Sequence, residues 1–158
     1  MQQPITPCLW FDSNAEEAVT FYTSLIPNSR IVATTRYCEG APLPAGTIMT
    51  VSFELNGRPF LALNGGPQYH FTPAISLMVP CDDQGEIDRL WDALLDGGEA
   101  QQCGWLTDRY GLCWQIVPAI LLQLVSGDAA RCSRVMQALW SMVKLDIAAL
   151  QHAADAAQ

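Results

Sequence analysis

Few residues in this chain have side chains that do acid–base or nucleophilic chemistry. Its 158 residues include only two histidines, His70 and His152. A nucleophilic triad needs a histidine that activates a serine or a cysteine, and neither histidine lies in a sequence context that suggests one. Paired acids such as Glu16-Glu17 and Asp82-Asp83 fall at predicted helix starts, where the helix dipole is sufficient reason for them.

The cysteines do not form a local metal or redox motif. There are six of them and no CxxC pair, which disfavours a zinc knuckle or a thioredoxin-type site. We expect reduced thiols that mostly fill the core. Cys103, which precedes Gly104-Trp105 in a loop-like stretch, is the candidate for a reactive thiol, but no histidine follows nearby to activate it.

Amide and aromatic side chains are the stronger candidates for ligand contacts. Asn64 and Gln115 lie on predicted strands, so if buried they need hydrogen-bond partners, which could be each other or a ligand. Trp10, Trp105 and Trp114 lie on strands or strand ends, where either core packing or ligand contact explains them. The predicted ligand-binding set is Trp10, Asn64, Cys103, Trp105, Trp114 and Gln115.

Composition excludes several classes of partner. Half of the residues are hydrophobic, which is enough for a full core, and 16 acids against 8 bases give a net charge of −8. A polyanion should not bind nucleic acid through phosphate contacts or dock on an anionic membrane. The apolar runs are too short to span a bilayer, and the first residues lack the features of a signal peptide, so we expect a cytoplasmic protein.

The elements that position the candidates occur twice. In residues 3–66, Asn14 and Glu17 resemble a capping box that begins a helix, and Asn56-Gly57 is a strong hairpin signal. This first module therefore reads β-α-β-β-β, with strands predicted at 5–11, 30–38, 47–55 and 58–64. The second module, residues 73–117, repeats this order, with strands at 74–80, 100–106 and 112–117 and an amphipathic helix through Ile87 and Leu95.

A helical tail follows from residue 118, and Asp146 is predicted to cap its last helix. Its apolar stripe either caps the core of the same chain or forms a dimer arm, and the sequence leaves both open. We therefore predict one α+β domain over residues 1–158, made of the two modules and the tail. A lone module of this size buries too little surface, whereas two placed edge to edge enclose a trough for a small ligand.

Three motifs carry a family resemblance: LWFDSNAEEAVTFY at 9–22, FLALNGGP at 60–67 and CGWLTDRYGLCWQIVP at 103–118. Together they resemble the PhnB-like branch of the vicinal oxygen chelate superfamily, which includes glyoxalases, bleomycin-resistance proteins and extradiol dioxygenases. The tail segment VMQALWSMVKLDIAAL at 135–150 is similar as well. The resemblance implies paired β-α-β-β-β modules and a homodimer. Members are often labelled 3-demethylubiquinone-9 3-methyltransferase.

A methyltransferase needs a site for its methyl donor, and the sequence does not show one. A methyl donor of nucleotide type is usually held by a glycine-rich turn between a strand and a helix. At the one candidate turn, Leu63-Asn64-Gly65-Gly66-Pro67, Pro67 and the polar residues after it do not begin a helix. We therefore do not expect methyl transfer.

The resemblance also implies an open metal site with His, Glu and sometimes Gln ligands. Its usual positions fall here near Thr6-Pro7, at Ala62 or Asn64, near Pro73-Ala74, and at Gln115. Two neutral amides are a weak ligand set for a divalent cation, even if His70 joins them. We predict no metal or other cofactor and a protein that binds a small, partly apolar molecule in a metal-free trough. The alternatives are a metal-dependent isomerase, lyase or dioxygenase of the glyoxalase superfamily, and a dimer with a filled interior.

Overall fold

A computed structural model describes residues 5–156, which form two compact units that divide between His70 and Phe71. The division falls inside the predicted linker between the two modules. Among the described residues, no helix combines the length and the apolar character that crossing a membrane requires.

The first unit has the predicted β-α-β-β-β order. Its elements are β1 (Cys8–Phe11), α1 (Ala15–Leu25), β2 (Arg30–Arg36), β3 (Ile48–Leu55) and β4 (Arg58–Asn64). The sheet order is β1-β4-β3-β2, with β1 parallel to β4 and the other neighbours antiparallel. Asn56 and Gly57 both have positive φ, 47° and 73°, as the predicted two-residue hairpin between β3 and β4 requires.

One side of this sheet packs against α1. Small and apolar residues of the helix are buried there: Ala15, Ala18, Val19 and Tyr22. Alternate residues of β3, Val51, Phe53 and Leu55, are buried on the same side, because side chains of a strand alternate between the two faces of a sheet. The residues between them therefore point away from the helix.

The second unit repeats this topology. Its elements are β5 (Leu77–Cys81), α2 (Gln84–Leu95), β6 (Glu99–Ala100), β7 (Trp105–Thr107) and β8 (Cys113–Pro118), in the sheet order β5-β8-β7-β6. The predicted strand at 100–106 is wrong as one element. It is two short strands, because Cys103 and Gly104 have positive φ, 63° and 80°, and turn the chain between them.

The tail forms α3 (Leu121–Val125), α4 (Ala129–Trp140) and α5 (Ile147–Asp155). As predicted, the Asp146 carboxylate caps α5 by accepting a hydrogen bond from the backbone N–H of Ala149 at 2.8 Å. The tail helices pack on the end of β8 in one apolar cluster, whose buried members are Val117, Leu124, Val135, Leu139, Leu145, Leu150 and Ala154. The tail thus covers part of its own unit, which was one of the two alternatives.

The turn between β6 and β7 holds the tail in place. The backbone N–H groups of Cys103 and Gly104 donate to the carbonyls of Met142 and Val143, at 2.9 and 2.8 Å. Gly104 is required at this turn because an added Cβ would approach the carbonyl oxygen of Ile116 to 2.7 Å. The turn therefore joins the sheet of the second unit to the segment between α4 and α5.

Candidate functional site

Each sheet has a face turned away from the helix of its own unit, which we call its distal face. In the first unit, paired neighbours place Trp10, Leu63, Thr50 and Thr35 in one row across β1, β4, β3 and β2. In the second unit, Met78, Gln115 and Trp105 form the corresponding row across β5, β8 and β7. Both rows contain a partly buried tryptophan among uncharged side chains.

Trp10 is held firmly in the first distal face. Its indole N–H donates to the carbonyl of Gly66 at 2.9 Å, and its ring meets the Tyr69 ring edge-on with centroids 5.0 Å apart. Gly65 lies directly against the indole, and any Cβ there would overlap the ring. Gly65 of FLALNGGP is thus explained by the packing of Trp10, and Gly66 by its positive φ of 91°.

The same segment does not form a cradle for a methyl donor. After Gly65-Gly66-Pro67 the next helix is α2, which begins only at Gln84. A strand-to-helix turn that presents backbone N–H groups to a nucleotide is therefore missing at this point. The residues present do not fit that cofactor.

Asn64 lies on the helix side of the first sheet, not on the distal face. It is only 6% exposed; its Oδ1 accepts from the backbone N–H of Ala15 at 2.8 Å, and its Nδ2 donates to the carbonyl of Ile48 at 3.1 Å. Asn64 thus caps the start of α1 from a distant strand. The capping role predicted for Asn14 is wrong, since the Asn14 side chain makes no capping hydrogen bond.

These contacts leave Asn64 with a structural role. The sequence left Gln115 or a ligand as the partner of Asn64; its amide instead bonds the backbone of Ala15 and Ile48, so both of its polar ends are in use. We therefore leave Asn64 out of the site that we propose below.

The second distal face carries a small group of polar side chains. Gln115 is partly buried, and its Nε2 donates to Ser76 Oγ at 2.8 Å. Two further polar side chains lie close by: Gln101 Nε2 donates to Thr107 Oγ1 at 2.7 Å. The sequence analysis missed Ser76, Gln101 and Thr107, although the alternation of β7 and β8 places Thr107 on the same side as Trp105.

Trp114 points to the opposite side of the second sheet. It is 1% exposed, and its indole N–H donates to Asp108 Oδ2 at 2.8 Å. Asp108, itself 3% exposed, also accepts from the backbone N–H groups of Tyr110 and Leu112. Trp114 and Asp108 therefore form a buried structural network, and Trp114 does not line the distal face.

Cys103 belongs to the turn that holds the tail. It is partly buried against the apolar cluster of the tail helices. Of the other cysteines, Cys81 is buried, and burial raises the pKa of its thiol to about 12. A thiol with so high a pKa is a poor nucleophile at neutral pH.

A pocket of about 690 Å³ opens in the first unit beside the start of α1. Its walls combine three acids, Asp12, Glu16 and Glu17, with apolar residues such as Leu43 and Ile48. These acids outweigh the partial positive charge, about half a unit, at the start of the helix. The electrostatics of the pocket therefore disfavour an anion.

The donor set does not fit the metal site of the superfamily. Among the described residues, no three His, Cys, Asp or Glu side chains lie together where they could hold a metal ion. At the implied positions, Ala62 offers no ligand atom and the Asn64 amide is engaged by the backbone. The amide oxygen of Gln115 is neutral, and by itself it is too weak a ligand for a divalent cation.

Comparison with known proteins identifies the family. A family model described as 3-demethylubiquinone-9 3-methyltransferase matches residues 3–117. The chain belongs to this family. It is a PhnB-like member of the vicinal oxygen chelate superfamily, as the sequence motifs predicted. The tail from residue 118 lies outside the matched residues.

Solved structures of similar proteins share this fold. A protein from Bacillus cereus, titled a putative 3-demethylubiquinone-9 3-methyltransferase and PhnB protein, is 39% identical, with a TM-score of 0.68 over 74% of this chain and all of its own. Protein PA1353 from Pseudomonas aeruginosa is 24% identical, with a TM-score of 0.61 over 74% of this chain and 98% of its own.

The fosfomycin resistance protein FosX from Listeria monocytogenes shares the fold at 13% identity, with a TM-score of 0.51 over 78% of this chain and 96% of its own. No curated protein matches the chain. The α+β fold of paired modules is therefore confirmed, and its function has to be inferred from the site.

Proposed function

We propose that this PhnB-like protein binds a small, partly apolar molecule on the distal face of its second sheet, without a metal ion. The observation that carries the proposal is the pairing of Trp105 with Gln115. These residues are register partners on neighbouring strands, and both are partly buried. An aromatic surface beside a few polar groups is typical of small-molecule sites.

The chemistry of this face favours binding over catalysis. The strands of the second sheet carry no histidine, lysine or arginine, and their one acid, Glu99, lies on the short strand β6. General acid–base catalysis needs a group that can gain or lose a proton next to the substrate. Hydroxyl and amide groups can orient a ligand but do not supply that step.

Methyl transfer is not part of the proposal, although the description of the family names it. The glycine pair packs against Trp10 and is not followed by a helix. The glycine turn that would have to hold the methyl donor therefore takes part in the packing of the first sheet.

We also propose that the protein is a homodimer in the cytoplasm; the resemblance to the superfamily favours the dimer. Large apolar side chains of the second unit are exposed, among them Leu122 at 76% and Trp140 at 61%. Light scattering during size-exclusion chromatography tests the assembly. A mass near 17 kDa at all concentrations would contradict the dimer.

Quinoline, a neutral aromatic probe, tests the proposed binding. We expect saturable quenching of tryptophan fluorescence in the presence of EDTA. Trp105→Leu should weaken binding about tenfold, since stacking on an aromatic ring adds up to about 1.5 kcal/mol beyond area burial. Trp140→Leu, which changes an exposed tryptophan of the tail, is the matched control and should bind as the unchanged protein does.

Two results would overturn the proposal. One is the absence of saturable binding at millimolar quinoline, with circular dichroism showing that the protein is folded. The other is binding that EDTA abolishes and that added Mn²⁺ or Zn²⁺ restores, which would favour the metal-dependent alternative.

A further inference from the structure

The second distal face offers a hydrogen-bond donor and an acceptor on two neighbouring residues, Trp105 and Gln115. Gln115 uses its Nε2 to donate to Ser76, so its Oε1 remains as an acceptor that no described residue bonds. The indole N–H of Trp105 likewise has no partner among the described residues. In contrast, the indole N–H groups of Trp10 and Trp114 are both bonded, to Gly66 and Asp108.

In the structure, the bond to Ser76 occupies the N–H end of the Gln115 amide. An unrestrained glutamine can rotate its amide and present either N–H or C=O to a ligand. The bond from Gln115 Nε2 to Ser76 Oγ, at 2.8 Å, keeps the nitrogen turned toward the start of β5. The carbonyl oxygen is therefore the group that a ligand meets.

The electrostatics of the face disfavour an anion. The strands of the second sheet hold no basic side chain, and the chain as a whole has a net charge of −8. An anionic ligand would lose hydration and gain no opposite charge in return. The carbonyl oxygen of Gln115 also carries a partial negative charge, which would repel the anion.

We infer that the second distal face selects uncharged, planar molecules that carry a hydrogen-bond donor and an acceptor side by side, the pattern of a lactam or a carboxamide. The ligand N–H donates to Gln115 Oε1, and its carbonyl accepts from the Trp105 indole N–H. This inference rests on the proposed binding function and specifies the class of its ligand.

Three bicyclic probes of similar size separate the contributions of the ligand's hydrogen-bond donor, its acceptor and its charge. 2-Quinolone carries both the donor and the acceptor, quinoline carries no donor, and quinoline-2-carboxylate is an anion at neutral pH. We expect 2-quinolone to bind about three- to tenfold more tightly than quinoline, which is the usual range for net gains from hydrogen bonds. The carboxylate should bind more weakly than either.

Variants assign the preference to the two side chains. Gln115→Leu should reduce the preference for 2-quinolone over quinoline to about onefold while quinoline still binds, because the acceptor is lost and the apolar surface is kept. Trp105→Phe keeps an aromatic surface and loses the N–H, so it should reduce the preference partly. Ser76→Ala frees the amide of Gln115 and should also lower it.

The outcomes distinguish this inference from the binding proposal. Equal binding of 2-quinolone and quinoline to the unchanged protein would refute the ligand class and leave the binding function standing. A preference that survives Gln115→Leu, or tighter binding of the carboxylate, would refute it as well. If none of the probes binds, both proposals fail.

Discussion

Replacement of Asp108 should destabilise the protein more than replacement of any exposed acid. The carboxylate is 3% exposed and accepts hydrogen bonds from the indole N–H of Trp114 and from two backbone N–H groups, at 2.8 to 3.0 Å. Removing a buried acceptor leaves its donors without partners, which costs about 1 to 3 kcal/mol for each donor. The bonds to Trp114 and Leu112 are buried, whereas the one to Tyr110 lies nearer to water.

These values give an expected loss of roughly 4 kcal/mol in the free energy of unfolding for Asp108→Ala, from two buried donors at about 2 kcal/mol each. Asp108→Asn keeps one oxygen for the backbone but turns an N–H group toward the indole. Its expected loss is about 2 kcal/mol, the cost of one buried donor. Trp114→Phe removes that donor, so the double variant should lose about 1 kcal/mol less than the sum of the single variants.

Urea unfolding followed by far-UV circular dichroism measures these differences. Asp96→Asn is the matched control, because Asp96 is exposed and pairs with Arg109 at the surface. We expect at most about 0.5 kcal/mol from that change. A loss below about 1 kcal/mol for Asp108→Ala, or strict additivity of Asp108→Asn and Trp114→Phe, would refute a buried acceptor network.

Three further predictions address the turn, the helix start and a buried thiol. Gly104→Ala should cost about 2 kcal/mol more in unfolding free energy than Gly111→Ala, about 3 against about 1 kcal/mol, because both glycines have positive φ but only at Gly104 would the added Cβ meet a backbone oxygen. Equal losses in urea unfolding would contradict this. Asn64→Ala should lower the free energy of unfolding by about 2 kcal/mol and Asn14→Ala by less than about 0.5 kcal/mol, because of these two residues only Asn64 caps α1. If Asn14 were the cap, thermal melts of the two variants would show the reverse order. The Cys81 thiol has its pKa raised to about 12 from 9.0, so the unfolded chain loses this proton first and stability should fall between pH 9 and pH 12. Cys81→Ala should flatten that part of the stability profile, and an unchanged slope would contradict the assignment.

Much of the local structure can be predicted from the residues. The Asn56-Gly57 hairpin and the cap of α5 by Asp146 form as their sequences indicate, because a two-residue turn and a side-chain cap depend on a few adjacent residues. The alternation of buried residues along β3 follows for the same reason. The twofold β-α-β-β-β order is confirmed.

The errors occur where distant residues compete with local ones. Asn14 has the right type and spacing for a cap, yet its side chain makes no capping bond. The backbone N–H of Ala15 instead donates to the side-chain oxygen of Asn64, which lies on β4. The turn at Cys103–Gly104 divides a run that reads as one strand, because its N–H groups bond to the segment after α4. Neither partner can be identified from a local pattern.

The candidate site also depends on residues that are distant in sequence. Three tryptophans on strands look equivalent in sequence, but the register places Trp105 on the distal face of the second sheet and turns Trp114 toward Asp108. One residue of shift exchanges the two faces of a strand, and register is set by pairing with residues far along the chain.

Residue types alone determined the acidic charge, the scarcity of histidine and the absence of a strong ligand set at the implied metal positions, since these depend on which side chains exist. Only the tertiary structure decided which amide is left available. Asn64 is satisfied by the backbone, while the Gln115 carbonyl and the nearby Trp105 indole N–H have no bonding partner among residues 5–156. The physical reason is that a hydrogen bond is a relation between two groups in space, and the second group lies elsewhere in the chain.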